Sequence, residues 1–266
     1  MHGIGAEKAS GWMTRFRWAI AERMVSAENR RARERLRKIP DLWREINDYR
    51  EQSEVTGASW SDYWQLYSAV RKYHPREVLE FGPGISTLVL AYALKENERD
   101  GHGAGRLTSM EDVPEWRDDV LKLLPAHYQD CVEIVFSPKV DGYYRMFRGV
   151  QYERIPDRPY DFIFSDGPER HSNVNGDKLF DLDLIHVVRR SERPVRALVD
   201  NHYLTFYVFQ KVFGTELARY SVRHRLMFIG PVCRSDARYL RKENFHADIR
   251  IFGTTELKLR MARSSI

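Results

Sequence analysis

A chain of 266 residues is long enough for one α/β domain with an appendage and a sizeable core. Its 42% hydrophobic and 30% charged residues describe a globular protein, and no apolar run approaches the length a membrane span needs. The net charge of +5 is modest but uneven, with eleven Lys or Arg against six Asp or Glu between Arg15 and Arg50; a solvated, salt-bridged helix face is its first reading, ahead of a nucleic-acid surface.

The first residues lack the basic start, apolar core and cleavage site of a secretion signal, so a cytoplasmic location is expected. Cys131 and Cys233 are far apart and have no metal-ligand spacing, which predicts buried free thiols in a reducing compartment. Trp12, Phe16, Ile20 and Met24 recur at i, i+4 and predict one long helix over 12–38. Its apolar stripe is expected to pack on the main domain or on a second copy of the chain, with a membrane surface as the lesser alternative. Pro40 ends this helix, and Asp41 is placed to cap a second one through about Tyr49. Residues 1–55 thus read as a helical extension and 56–266 as the main domain.

Ser59 and Asp62 form a capping-box pattern ahead of a helix bearing Trp60, Tyr63, Trp64, Tyr67 and Val70. That face is mostly core, yet the N-terminal end of the helix is placed to lie beside a ligand. Next, Val78, Leu79 and Phe81 give a buried strand that runs into Gly82-Pro83-Gly84 and then into helical spacing from Thr87. Strand, Gly-rich turn and helix open a βαβ unit, whose turn lets a ligand approach backbone amides closely. The dinucleotide fingerprint is only partly met, because residue 87 is Thr and because Glu80, just before the turn, repels a pyrophosphate.

Four more strands follow, and then a closing pair. Leu107–Asp112 ends in Glu111-Asp112, where such folds grip ribose hydroxyls, and Cys131–Phe136 alternates like a strand. Helices are predicted over Val113–Leu124, Leu179–Val188 and Tyr203–Phe213, and a loop over Tyr143–Tyr152. Phe162-Ile163-Phe164-Ser165 stops at Asp166-Gly167-Pro168, and Arg196–Val199 stops at Asp200-Asn201. Arg225–Val232 and Ala247–Gly253 read as a closing antiparallel pair.

Glu80-x-Gly82-x-Gly84 at the end of a first strand resembles motif I of the class I S-adenosylmethionine (SAM)-dependent methyltransferases, and the likeness covers about residues 56–253. It implies a Rossmann-like α/β fold with a mostly parallel seven-stranded sheet, flanking helices and an N-terminal helical extension. It also implies SAM as cofactor, held around Gly82, Pro83 and Gly84. Glu80 would reach the ammonium, Ser86 and Thr87 would serve the same part of the ligand, and Glu111 with Asp112 would serve the ribose. Ser137 would border the adenine, although the acidic residue usual there is missing.

Asp166 with Asp200-Asn201 is similar to the metal set of catechol- and caffeoyl-CoA-type O-methyltransferases, which usually hold magnesium. The resemblance counts Asp166 among the cofactor contacts and catalytic groups too. Those enzymes often have a lysine three residues after the first Asp, where this chain has Glu169, so His171 and His202 are the candidate bases. The expectation is O-methylation of a small molecule. A non-catalytic methyltransferase-like scaffold and a nicotinamide-dependent oxidoreductase are the alternatives. Asp-Gly-Pro in place of an Asn-Pro-Pro-aromatic motif disfavours nucleic-acid base methylation.

Overall fold

The computed structural model describes residues 12–53, 59–145, 147–200 and 202–237. Three helices, α1 (Trp12–Leu36), α2 (Pro40–Gln52) and α3 (Trp60–Tyr73), precede β1 (Glu77–Phe81) and α4 (Ile85–Arg99). Then come β2 (Arg106–Glu111), α5 (Pro114–Leu123), β3 (Val132–Phe136) and a hairpin of β4 (Lys139–Tyr144) and β5 (Phe147–Tyr152). The chain continues through β6 (Phe162–Ser165), α6 (Asp183–Arg190), β7 (Val195–Val199), α7 (Tyr203–Phe213), β8 (Ala218–Ser221) and β9 (Leu226–Val232).

Seven strands form one sheet in the order β3-β2-β1-β6-β7-β9-β8, and β4 and β5 form a separate pair. β3, β2, β1, β6 and β7 pair in parallel, while β9 pairs antiparallel with both β7 and β8. This is the mostly parallel, seven-stranded Rossmann-like arrangement that the resemblance to class I methyltransferases implies. Chain order reverses between β1 and β6, so a crevice opens beyond their C-terminal ends.

Both faces of the sheet are covered, so residues of both parities along its central strands are buried, as Val78, Leu79 and Phe81 are in β1. On one face Leu79, Phe81, Ile163 and Val199 pack with α6 and α7. On the other, Val78, Phe162, Phe164 and Leu198 pack with side chains of α2, α3 and α4. Each fully buried Leu or Phe here contributes about 1.5–3 kcal/mol. The expected division at 55/56 falls outside the described residues, but Leu36, Leu42, Ile46 and Tyr49 on its N-terminal side share the second core.

Five sequence expectations change. Asp41 is not a cap: Ile39 holds that position and Pro40 opens α2, where its missing N–H costs nothing, while Asp41 pairs with Arg44 at 2.9 Å. Of the two places expected for the α1 stripe, the main domain is not one, since Phe16 is 59%, Ile20 36% and Met24 43% exposed in the single chain. The helix is instead tied down further along, where buried Glu28 accepts from Arg35 at 3.3 Å and Arg223 at 2.7 Å. Tyr143–Tyr152 forms the β4–β5 hairpin instead of a loop, because Val150 also bonds to Phe180 and Leu182 and so buries both sides of β5. Those same bonds commit Phe180 and Leu182 to β5, and α6 starts only at Asp183. Finally, the partner of β9 is β8, which carries no strong apolar signal; Ala247–Gly253 lies outside the described residues. Cys131 is buried as expected, whereas Cys233 is partly exposed; both are free thiols. No described helix is long and apolar enough to cross a membrane.

Candidate active site at the strand ends

The parallel strands deliver their last residues to one edge. The Gly82 amide donates to Met110 O at 3.0 Å, and the amides of Asp166 and Gly167 donate to Phe81 O at 2.9 and 2.8 Å. Ser137 N reaches Glu111 O at 3.0 Å and Asp200 N reaches Ser165 O at 2.9 Å. The loops leaving β1, β3, β6 and β7 are therefore fixed by backbone bonds to the neighbouring strand before they diverge.

Glu80 lies under the Gly-rich turn with no exposed surface. Thr87 Oγ1 donates to its Oε2 at 2.6 Å and Ser109 Oγ to the same oxygen at 2.7 Å, while Oε1 is buried without a hydrogen-bond partner among the described residues. Burial pushes its pKa up to about 7 despite these donors. The Thr87 hydroxyl is fully used, since it also accepts from Gly84 N at 2.9 Å; it braces the turn and is not open to a ligand. Ser86, too, is buried, beside Glu80.

The two glycines differ. Gly82 has φ +87°, and a Cβ there would sit 3.1 Å from Gly167 N, so the loops after β1 and β6 meet backbone to backbone. A Cβ on Gly84 would meet nothing within 4 Å. Pro83 between them is partly buried.

Next along the edge, Glu111 Oε1 accepts from the amides of Asp112 and Val113, both at 2.9 Å, and burial raises its pKa to about 7. Burial also raises that of the half-buried Asp112. Ser137 is engaged within the protein, its hydroxyl accepting from Arg154 N at 2.9 Å.

On the other side of the crevice Asp166, Asp200 and His202 offer one ligand atom each, all within 4.8 Å of one another. His202 Nε2 stands 3.7 Å from Asp166 Oδ1. Burial, then the charge of Asp200, raises the pKa of Asp166 well above the carboxylate range. Asn201 lies outside the described residues, and His171 is outside this group, paired with Glu169 at 2.5 Å on an exposed loop. The lysine missing at position 169 has a counterpart in space: buried Lys139 of β4 donates to Glu169 at 3.2 Å.

Sequence reading missed a further carboxylate. Asp62, 4% exposed, is raised to about 7 by burial and then by Asp200. The signal that could have found it was its capping box, which is formed, with Ser59 N donating to Asp62 at 2.6 Å and Asp62 N to Ser59 Oγ at 3.3 Å. Arg170 supplies the opposing charge near Asp166, Asp181 and Asp200, although burial lowers its own pKa. The edge as a whole is an electronegative crevice that suits a cation or a diol and opposes a pyrophosphate.

No protein-family model and no curated protein matches the chain. Among solved structures it is similar to an O-methyltransferase from Streptomyces achromogenes involved in tomaymycin synthesis, in complex with SAM. The identity is 18%, over 69% of this chain and 72% of that one, with a TM-score of 0.39. It is also similar to an O-methyltransferase from Bacillus cereus in complex with S-adenosylhomocysteine, at 17% identity over 69% and 73%, TM-score 0.39. A methyltransferase-like protein from Silicibacter pomeroyi gives 15% identity over 67% and 88%, TM-score 0.42. What the site can do is read from its own residues.

Proposed function

We propose that the chain is a SAM-dependent methyltransferase acting on an oxygen of a small molecule, with a divalent cation at Asp166 and Asp200. The observation that carries this reading is the pair of buried carboxylates Glu80 and Glu111 at neighbouring strand ends, beside a turn whose Gly84 faces open space. A nicotinamide dinucleotide would have to lay its pyrophosphate over Glu80. SAM instead presents an ammonium and a sulfonium to that carboxylate and a ribose diol to Glu111.

The residues fit such a ligand in specific ways. Glu80 is enclosed, so it acts on the ammonium by its charge across the turn, an effect strengthened by the low dielectric around it. Glu111 is fixed by the amides of Asp112 and Val113 and accepts from the ribose hydroxyls. SAM supplies, when bound, an electrophilic methyl group whose transfer depends chiefly on positioning. Asp166 and Asp200 hold the cation, and we assign the third donor to His202. A cation supplies, when bound, a lowered pKa for the acceptor hydroxyl. Two carboxylates and an imidazole form a mixed donor set that takes Mn²⁺ more readily than Mg²⁺.

Calorimetric titration with S-adenosylhomocysteine, with NAD as control, tests the cofactor; micromolar binding is expected, and silence from a folded sample removes the function. Asp200→Ala should abolish Mn²⁺ binding read by electron paramagnetic resonance while sparing S-adenosylhomocysteine. Loss of both would place Asp200 in the cofactor pocket or the fold instead.

A further inference from the structure

A second concavity, a groove of 820 Å³, lies between the β4–β5 hairpin and α6 and is lined by none of the strand-end residues described above. One end is closed by the turn after β9, where the Tyr144 hydroxyl donates to Ala237 O. Four exposed arginines converge on it: Arg145 from the hairpin turn, Arg189 and Arg190 from the last turn of α6, and Arg234 from the segment after β9. Cations at a helix C-terminus complement its dipole, which accounts for Arg189 and Arg190 alone. It does not account for two further arginines brought in by other elements.

Three of these four arginines stand without a counter-ion among the described residues. Among the described residues Arg189, Arg190 and Arg234 form no salt bridge within 4.0 Å. Asp183, the carboxylate on the floor, is buried, spends both oxygens on Tyr152 N at 3.1 Å, and is pushed well above the carboxylate range by burial. Among the described lining residues Glu153, at the exposed rim, is the one other carboxylate. His186 lies between, with Nε2 buried and lacking a hydrogen-bond partner among the described residues. Arg189 is steadied over the Tyr144 ring at 5.4 Å.

We propose that this groove binds a small molecule carrying two or three linked phosphoryl groups, as in a nucleoside di- or triphosphate. Planar guanidinium forks match phosphate oxygens two at a time, so the forks of Arg189, Arg190 and Arg234 together exceed what a single phosphate can engage. The groove is bounded by hairpin and helix, whereas a nucleic-acid duplex is met by an extended basic stripe. Tyr143, 61% exposed at the rim, offers a ring for a base to stack on. The site stands apart from the strand-end crevice, and its occupancy does not depend on methyl transfer.

Titration of the full chain with pyrophosphate, ATP and inorganic phosphate at 150 mM salt tests it, since a Debye length of about 8 Å at that ionic strength suppresses diffuse attraction. The expected result is sub-millimolar binding of pyrophosphate and ATP and at least about tenfold weaker binding of phosphate. Arg189→Ala with Arg234→Ala should weaken ATP about tenfold or more, with Arg→Lys at both positions intermediate, and leave the circular dichroism unchanged while lowering the melting temperature by a few degrees at most, the share of the α6 dipole and the Tyr144 contact. Arg190→Ala alone is the second variant should the pair disturb folding. No binding by the wild-type chain overturns the proposal, as does equal affinity in wild type and variants. So does tighter binding of an RNA oligonucleotide or of anionic vesicles that is lost in the same variants. S-adenosylhomocysteine affinity, measured alongside, fails or holds separately and so distinguishes this groove from the crevice.

Discussion

Two glycines two residues apart do opposite work. Gly82 is needed by the fold: φ +87° is a region an L side chain rarely adopts, and a Cβ would press on the Gly167 backbone at 3.1 Å. Gly82→Ala should cost about 1–2 kcal/mol, read as a lower urea midpoint at unchanged slope. Gly84 has extended φ and open space before it, so nothing in the protein forbids a side chain there. Gly84→Asp is therefore expected to melt at the wild-type temperature and to lose S-adenosylhomocysteine binding; retained affinity would move the ligand away from this turn. Glu80 gives a third handle. Its pKa of about 7 means that below neutrality it is protonated and offers a cationic ligand little. Affinity for S-adenosylhomocysteine should rise with pH through about 7 and level off. In Glu80→Gln that rise should disappear, and a variant keeping the full slope would assign it to another group.

At the scale of elements, legibility followed how many constraints a segment satisfied at once. β1, β2, β6 and β7 could be read because parallel strands covered on both faces bury apolar residues of both parities, and their ends are marked by Glu80, Glu111, Asp166 and Asp200. α3 was legible for the same reason, since capping box and aromatic period agree. The hairpin was not, because β5 packs against residues 179–182 as well as β4, which erases alternation and borrows those residues from the expected helix. β8 has four residues, two of them Arg and Ser, and owes its place to β9 and not to its own pattern. The site shows the same division. Positions at strand ends were visible, but Lys139 meeting Glu169 and Asp62 lying near Asp200 depend on distances across the fold that no local spacing encodes.

For the whole molecule, the carboxylates of the strand-end edge set a pH dependence that departs from the usual one. Asp62, Glu80 and Glu111 titrate near 7 and Asp181 near 6, each raised first by burial, against about 4 in an unfolded chain. Between those limits the folded state holds more protons than the unfolded one, so its stability is fully present below about pH 4 and is lost as pH rises through 6–7. Carboxylates held low by partners, such as Asp141 by Ser172 and Arg148 despite its burial, act the other way, but their contribution is lost only as pH falls below the ordinary carboxylate range. The ligand-free protein is thus expected to be most stable near pH 5 and to lose on the order of 5 °C or more of melting temperature by pH 8. A ligand that brings positive charge to the crevice reverses the sign locally, since it favours the ionised carboxylates. Mn²⁺ or S-adenosylhomocysteine should therefore raise the melting temperature more at pH 8 than at pH 5. A flat or rising curve without ligand would mean that these carboxylates ionise freely, and that the crevice is not the strained, cation-seeking edge described.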